Sequence, residues 1–188
     1  LSVRVAVVGE HAQRNADESS CGAGLGLALV RQIVGHHGGS VIAATVSGRL
    51  PNPLDLPGRQ SMKVNYELLA NGLHIERVFI LGWNLWPPEA RLPARSIRQW
   101  IEDQHFRGIE VRLVRENDLV GEPGLLRDFG IYGDRATGAQ ETDADSRTVQ
   151  FVLCFDQASI RLAQDRWERL MLYARPFGEL LDHGLSIV

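Results

Sequence analysis

The chain is poor in cysteine and has no long apolar run. Its 188 residues include only Cys21 and Cys154, which are far apart and show neither metal-like spacing nor a disulfide framework. No apolar run approaches the roughly 18 residues of a membrane-spanning helix, and no signal-peptide pattern follows Leu1. We therefore expect a protein of a reducing compartment, the cytoplasm, with no membrane span in this chain. Because the first residue is Leu rather than Met, we also expect a fragment of a longer protein.

The chain also lacks a strong charge of either sign. Its 20 Lys and Arg residues nearly balance its 23 Asp and Glu residues, which gives a formal net charge of −3 at pH 7. This balance predicts no general attraction to nucleic acids or to anionic membranes. With 44% apolar and 23% charged residues, the composition is that of a soluble globular protein, large enough for one domain or two small ones.

What the sequence does contain is a glycine-rich loop that runs into a predicted helix. Gly22, Gly24 and Gly26 occupy every second position, and a helical segment with an apolar face follows as far as the pair Gly38-Gly39. Glycine tolerates the backbone conformations of a tight loop, and the free amides and positive dipole end of a helix N-terminus attract anions. The stretch therefore predicts a phosphate-binding loop. A plain strand-loop-helix connection, in which the glycines only permit a tight turn, is the alternative.

The segment Gly22-Ala23-Gly24-Leu25-Gly26-Leu27 resembles the last glycine-rich box of the ATP-binding domain of sensor histidine kinases. The resemblance continues through His37-Gly38-Gly39 and the strand-like segment after it, and covers about residues 20 to 46. It implies that the backbone amides of Gly22, Gly24, Leu25 and Gly26 bind the phosphates of ATP, with Mg²⁺ as the accompanying ion. It also implies a bacterial two-component signalling protein whose partner is a response regulator or another signalling protein.

Other parts of that kinase domain are missing from this chain. The family carries a helix with a magnesium-binding Asn, an Asp-x-Gly-x-Gly loop that binds adenine, and a long lid. Here only 21 residues precede Gly22, and the strand-like residues 1 to 8 are followed by Gly9-Glu10-His11-Ala12. A dinucleotide fingerprint fits less well, because it needs Gly-x-Gly-x-x-Gly directly after a strand. Whether the chain is an enzyme stays open, and its loop is either a partial nucleotide site or a vestige.

A proline- and glycine-rich stretch divides the chain. Residues 47 to 59 contain three prolines and two glycines, which predicts a linker after a partial kinase-like ATPase segment at residues 1 to 46. Residues 60 to 188 alternate between helical and strand-like patterns. The predicted fold class is therefore α/β: a short strand-loop-helix-strand segment, then an α/β domain with a mixed sheet and a long C-terminal helix.

Hydrophobic spacing predicts the elements of this second domain. Helices are expected over residues 60 to 71, 94 to 107 and 157 to 174, and Asp156 is placed to cap the last one. Strands are expected over residues 74 to 81, 109 to 114 and 128 to 132. A hairpin is expected to follow them, with its two strands at residues 135 to 141 and 147 to 155.

This order of elements is similar to half of a phospholipase-D-like domain. The shared pattern is β-α-β, then three meandering strands, then a helix. The catalytic signature of that superfamily is His-x-Lys followed by an Asp, whereas no His here has a Lys two residues further on. The resemblance therefore implies a phospholipase-D-like fold that is not catalytic.

Two groups of titratable side chains have the composition of a site. His11, His36 and His37 offer metal ligands, yet adjacent histidines on a helix point about 100° apart, so a solvated helix end is expected. An acidic stretch offers paired carboxylates for acid–base chemistry, and a solvated face is again expected. Its members are Glu110, Glu116, Asp118 and Glu122.

Two groups of loop residues also stand out. Trp83 and Trp86 precede two prolines and are suited to line a pocket, although a cover over the sheet edge is expected. Four polar residues lie where a strand ends, a common place for sites, and turn formation is their expected role. These are Asp128, Tyr132, Asp134 and Arg135.

Together these patterns favour a signal-transduction protein related to sensor histidine kinases, with a partial ATP phosphate-binding loop. The alternative is a non-enzymatic sensing or protein-docking α/β module whose glycine loop is vestigial. A nuclease-like domain acting on nucleic acid is a third class, which the acidic balance and the missing His-x-Lys disfavour. The sequence leaves the oligomeric state and the ligand of the second domain open.

Overall fold

One seven-stranded mixed sheet is the centre of the computed structural model, which describes residues 40–46, 56–142 and 148–182. The strands lie in the order β6-β5-β4-β1-β2-β3-β7. Their bounds are β1 Ser40–Val46, β2 His74–Leu81, β3 Glu110–Arg115, β4 Phe129–Tyr132, β5 Ala136–Thr142, β6 Thr148–Cys154 and β7 Arg175–Pro176. β1, β2 and β3 pair in parallel, and the other neighbours pair antiparallel. The predicted α/β class with a mixed sheet is confirmed.

The described helices are α1 Leu56–Ala70, α2 Arg95–Phe106, α3 Gln157–Met171 and α4 Phe177–Asp182. α2 connects the parallel strands β2 and β3, which need a crossover rather than a tight turn. It ends just before Gly108, whose φ of +101° is a left-handed conformation that favours glycine. Asp156 caps α3 as predicted, because its carboxylate accepts a hydrogen bond of 2.9 Å from the backbone amide of Ser159.

β2 separates two apolar clusters, because successive side chains of a strand point to opposite faces of the sheet. Ile75, Phe79 and Leu81 belong to cluster 1, whereas Val78 and Ile80 belong to cluster 2, and all five are fully buried. The remaining buried members of cluster 1 are Leu68, Leu73, Trp86, Ile97, Ile101, Ile109, Val111, Leu113, Leu153 and Phe177. Those of cluster 2 are Val114, Leu119, Leu125, Phe129, Ile131, Ala163, Trp167 and Leu170.

β1 belongs to the same sheet as the strands that follow residue 60. It lies between β2 and β4, with Ser40 opposite His74 and Val41 opposite Tyr132. This arrangement differs from the expected division, which placed residues 1 to 46 in a separate segment and began the α/β domain at residue 60. The pairing of β1 joins residues far apart in the chain, so no local pattern signals it.

α1 begins inside the predicted linker of residues 47 to 59. Its first residue is Leu56, and Pro57 therefore lies in the first helical turn. Proline is tolerated there because the first amides of a helix have no intrahelical acceptor. The proline was thus compatible with a helix start as well as with a linker. Residues 47 to 55 lie outside the described part of the chain.

The second half of the domain follows the prediction closely. β5 and β6 form the expected antiparallel hairpin, and the strand expected over residues 128 to 132 is β4. Gly133, with a φ of +58°, turns the chain after β4. The hairpin tip at residues 143–147 is outside the described residues. None of the helices in the described ranges is long and apolar enough to cross a membrane.

Candidate functional site

A charged residue, Arg77, lies on the apolar cluster 1 face of β2. Strand alternation places its side chain between those of Ile75 and Phe79, both of which are fully buried. α1 and α2 pack over this face and contribute Met62 and Gln104 to its surroundings. A guanidinium is rarely accepted among such neighbours, because burial of an unpaired charge is costly.

The guanidinium of Arg77 finds only neutral partners. Nη1 donates to the side-chain Oε1 of Gln104 at 2.5 Å and lies 3.2 Å from the sulfur of Met62. Its carbon lies 6.0 Å from the centroid of the Phe79 ring. Nε is buried and has no hydrogen-bond partner. Gln104 is fully buried and its amide also donates to the backbone oxygen of Trp100, so its position is fixed.

The electrostatics of Arg77 follow from this environment. Burial lowers its pKa from 12.5 to about 10, and the only opposing effects come from Tyr66 and Tyr132. No carboxylate of the described residues lies within ion-pair distance of it. At neutral pH the guanidinium therefore stays positive without an anionic partner from the described part of the chain.

Two tyrosines stand near this charge, and both are held neutral. Burial raises the pKa of Tyr66 to about 12, and its hydrogen bond to the Oδ2 of Asp103, at 2.9 Å, acts in the same direction. Burial also raises the pKa of Tyr132 to about 12, against the opposing charge of Arg77. We call Tyr66, Arg77, Gln104 and Tyr132 the Arg77 cluster.

Gly130 makes room for Tyr132. A Cβ atom at position 130 would lie 2.8 Å from the hydroxyl oxygen of Tyr132 and 3.0 Å from the adjoining ring carbon. The ring of Tyr132 thus folds back over the backbone of β4, on a face where a side chain would push it away. The lack of a side chain at position 130 therefore leaves the space that this hydroxyl occupies.

The Arg77 cluster has the chemistry of an anion receptor. It combines one positive charge with the neutral hydroxyl group of Tyr132 and the amide of Gln104, on strands and helices rather than on loops, while the hydroxyl of Tyr66 already donates to Asp103. Its titratable groups ionise at about pH 10 to 12, far from the near-neutral range suited to general acid–base catalysis. The cluster is equipped to bind an anion rather than to transfer a proton at neutral pH.

A second group of arginines is more exposed. Arg166 on α3 lies with its guanidinium carbon 5.3 Å from the ring centroid of Phe129, and Arg169 on the same helix pairs with Glu122. Burial and the positive charges of Arg127 and Arg169 lower the pKa of Arg166. Because Arg127 and Arg169 are exposed to solvent, this group forms a basic surface patch rather than an enclosed site.

The loop after β2 closes the carboxyl end of that strand. Trp86 is only 2% exposed, and its indole nitrogen donates to the backbone oxygen of Ala90 at 3.0 Å. Arg115, at the end of β3, donates to the same oxygen at 2.7 Å and stacks on the indole at 4.1 Å from the ring centroid. Trp86 has the expected covering role, whereas Trp83 is 63% exposed.

The acidic stretch does not converge on one site. Glu110 pairs with Arg112 at 2.8 Å, and Glu122 pairs with Arg169 across 47 residues of sequence. Glu116 and Asp118 lie in a short 3-10 turn between β3 and the following loop. The four side chains therefore lie at different ends of β3, and the alternative of paired carboxylates gains no support.

Of the four polar residues at the strand end, one reaches the Arg77 cluster. Tyr132 is that residue. Asp134 pairs with its neighbour Arg135 at 3.5 Å in the exposed turn after β4, as a turn-forming role predicts. The predicted phosphate-binding residues Gly22, Gly24, Leu25 and Gly26 lie outside the described residues, as do His11, His36 and His37.

Sequence reasoning missed Arg77, Tyr66 and Gln104. The signal for Arg77 was present, because it occupies an inward position of the alternating segment 74–81 whose other inward residues are all apolar. Tyr66 lies within the helix expected over residues 60 to 71, and nothing in its local pattern indicates a binding role. Gln104 carries no local signal, since a glutamine on a helix is usually exposed.

Comparisons with known proteins address the fold. No family model matches the sequence, and no curated protein does. Among solved structures, NucT from Helicobacter pylori matches 94% of this chain and 98% of its own, with a TM-score of 0.56 and 9% identity. Nuc from Salmonella typhimurium, a phospholipase D family member, matches 79% of this chain and 88% of its own, with a TM-score of 0.51 and 12% identity. The chain thus has a phospholipase-D-like fold, as the order of its elements predicted.

A third structure is more distant. TrmBL2, an archaeal chromatin protein, matches 79% of this chain at 14% identity with a TM-score of 0.45, and this chain spans 49% of its length. At that level of similarity nothing is transferred from it. None of these three structures is a histidine kinase, and the predicted kinase resemblance gains no support from them.

Proposed function

We propose that this domain is a non-enzymatic sensing module that binds a small oxyanion, such as a phosphate group, at the Arg77 cluster. The observation that carries the proposal is the enclosed guanidinium of Arg77, which has a glutamine and a thioether as its closest partners. A bound oxyanion would supply the missing negative charge, and a planar guanidinium donates well to phosphate and carboxylate oxygens.

The missing His-x-Lys signature supports a binding role over phospholipase-D chemistry. The phospholipase-D-like fold ordinarily carries a His-x-Lys pair, and this sequence has none. Tyr66 and Tyr132 keep their protons until about pH 12, so neither acts as a base or a nucleophile at neutral pH. The hydroxyl of Tyr66 already donates to Asp103, which leaves that of Tyr132 as the donor for a ligand.

Calorimetric titration of the full chain tests the proposal, with inorganic phosphate, acetate and an ATP analogue with Mg²⁺ as separate probes. Arg77→Met should weaken phosphate binding by about tenfold or more, because a hydrogen bond to a charged group contributes about 1.5–3 kcal/mol. Tyr132→Phe, which removes a hydroxyl and keeps the charge, should weaken it less. Arg161→Met, an exposed residue on α3, is the matched control and should change nothing.

The same titration contains the results that would overturn the proposal. Equal binding by the parent chain and by Arg77→Met would place the ligand elsewhere. Loss of binding in Arg166→Met, with Arg77→Met unaffected, would move the site to the basic patch on α3. No detectable phosphate binding by the parent would remove the anion-receptor role altogether.

The glycine-rich box supports a second candidate, a signalling protein related to sensor histidine kinases that binds ATP phosphates and acts with a response regulator. Gly22-Ala23-Gly24-Leu25-Gly26-Leu27 carries that candidate. Binding of the ATP analogue that is lost in a Gly24→Val, Gly26→Val double variant and kept in Arg77→Met would support it. Binding with the reverse dependence would support the Arg77 cluster instead.

A further inference from the structure

A histidine and two glutamates meet at the amino ends of β2 and β3. His74 and Glu76 are two residues apart on β2, so they share a face of the sheet, and Glu76 lies opposite Glu110 in the parallel register with β3. One ligand atom from each of the three side chains lies within 4.8 Å of the others. This face is the one that carries Val78 and Ile80, opposite to the face of Arg77.

The two distances from His74 to the glutamates fit a shared metal ion better than they fit hydrogen bonds. The Nε2 atom of His74 lies 3.3 Å from Oε1 of Glu76 and 3.5 Å from Oε2 of Glu110. Hydrogen bonds between charged groups are usually about 2.7–2.9 Å long. Tetrahedral coordination with bonds of about 2.0–2.1 Å separates neighbouring ligand atoms by about 3.3–3.4 Å. Moreover, the single Nε2 of His74 faces both carboxylates, and one N–H cannot point well at both.

The surroundings also suit a cation. Nη2 of Arg112 donates to Oε1 of Glu110 at 2.8 Å, which leaves Oε2 as the atom that faces His74. A hydrogen bond of this kind orients a ligating carboxylate. The two carboxylates give the group negative charge, and Arg112 offsets part of it. The side chains of His74 and Glu110 are 55% and 43% exposed, so an ion and water have access.

We propose that His74, Glu76 and Glu110 bind a divalent transition-metal ion of the Zn²⁺ class, with water in the open position. Imidazole nitrogen and carboxylate oxygen are ligands that Zn²⁺ accepts, and three protein ligands leave one tetrahedral position for water. The ion would join the amino ends of two central parallel strands. The site is independent of the proposed anion receptor, because it uses the opposite face of the sheet.

Titration of the full chain with Zn²⁺ and with Co²⁺ tests this site. Calorimetry should show that the parent chain binds the ion. His74→Ala and Glu110→Gln should each weaken this binding by more than the loss of a supporting group would, which costs about 10–100-fold. The d–d absorption of bound Co²⁺ should fall in the same variants, and Zn²⁺ should displace it. The matched control is Glu168→Gln, an exposed acid on α3, and it should retain the ion.

A second variant and a second measurement keep the test decisive. A His36→Ala, His37→Ala variant should retain the ion, since those adjacent histidines of the sequence are not among the proposed ligands. In nuclear magnetic resonance of the parent chain, Co²⁺ should broaden the amide signals of Ile75 and Val111 first. Unchanged binding in His74→Ala, absence of broadening at the two strands, or failure of the parent to bind either metal would each overturn the proposal.

Discussion

The two faces of the central sheet bury different kinds of side chains. On the side of cluster 2, α3 presents Ala163, Trp167 and Leu170 to the strands, and the buried polar Thr137 there donates to the backbone oxygen of Gly130. On the side of cluster 1, α1 and α2 cover an equally apolar group that also encloses Arg77 and Gln104. The amphipathic pattern of α3 covers cluster 2 with apolar side chains, whereas cluster 1 has a charged group beside it.

This difference affects how much each face contributes to the stability of the folded chain. Burial of apolar area contributes about 25 cal/mol per Å², so both faces favour the folded state. A buried charge opposes folding unless a partner compensates it, and Gln104 supplies only a neutral acceptor for Arg77. The guanidinium of Arg77 therefore lowers the net stabilisation that the cluster 1 face contributes, whereas cluster 2 consists of apolar side chains.

The largest expected effect is a loss of stability when a side chain is removed from cluster 2. Leu170→Ala removes a fully buried side chain of α3 and should lower the free energy of unfolding by about 2–5 kcal/mol, through lost burial and a residual cavity. Urea denaturation measures the change. Leu162→Ala, on the same helix with a side chain 61% exposed, is the matched control and should alter stability by about 0.5 kcal/mol or less. Equal losses in both variants would contradict the assignment of this face to the core.

The next largest effect is expected when the charged group on the cluster 1 face is replaced by apolar side chains, which makes this face more like the other. A double variant, Arg77→Met with Gln104→Leu, replaces the charge and its acceptor by apolar groups of similar length. It should raise the free energy of unfolding by about 1–4 kcal/mol, as replacement of buried charged groups often does, while phosphate binding is lost. Both residues are replaced together because Arg77→Met alone would leave the buried side-chain oxygen of Gln104 without its donor. A marked loss of stability would mean that Arg77 serves the fold rather than a ligand.

The smallest expected effect is a pH dependence of stability that arises from the cluster 1 face. Tyr66 and Tyr132 retain their protons to about pH 12 in the folded chain but lose them near pH 10 when unfolded, so above pH 10 they make stability fall as pH rises. Arg77 acts in the opposite sense, because its pKa is about 10 folded and 12.5 unfolded. The two tyrosines together outweigh Arg77, so the free energy of unfolding falls as pH rises above 10. Arg77→Met removes the opposing contribution and should make this fall steeper.

Ultraviolet titration of tyrosinate checks this pH dependence directly. Two of the three tyrosines should ionise near pH 12 in the folded chain, and Tyr66→Phe should remove one of these late ionisations. Asp103 supports the late ionisation of Tyr66, whereas Arg107, 4.6 Å from its ring, opposes it. Asp103→Asn should therefore lower the pKa of Tyr66. Simultaneous ionisation of all three tyrosines near pH 10 would rule out the enclosure of the Arg77 cluster.

The sequence predicted those parts of the fold that local patterns determine. The alternation of residues 74–81 predicted β2, and the apolar stripe with Asp156 before it predicted α3 and its cap. Each depends on spacing within a few residues. The meandering strands and the final helix also allowed the phospholipase-D-like fold to be inferred from element order alone.

Long-range features were beyond such patterns. The place of β1 between β2 and β4 depends on pairings across more than one intervening element. The Arg77 cluster unites residues of α1, β2, α2 and β4, so only the folded chain brings Arg77, Gln104 and Tyr132 together. The histidine and glutamates at 74, 76 and 110 likewise needed the register of β2 against β3.

The position of β1 has a consequence for any shortened form of this protein. Removal of residues 1 to 46 would take away the strand that joins the parallel half of the sheet to its antiparallel half. β2 and β4 would then each present a row of unpaired backbone amides and carbonyls, the kind of open border at which chains adhere to one another. The segment that first suggested an ATPase is thus also the seam of this domain.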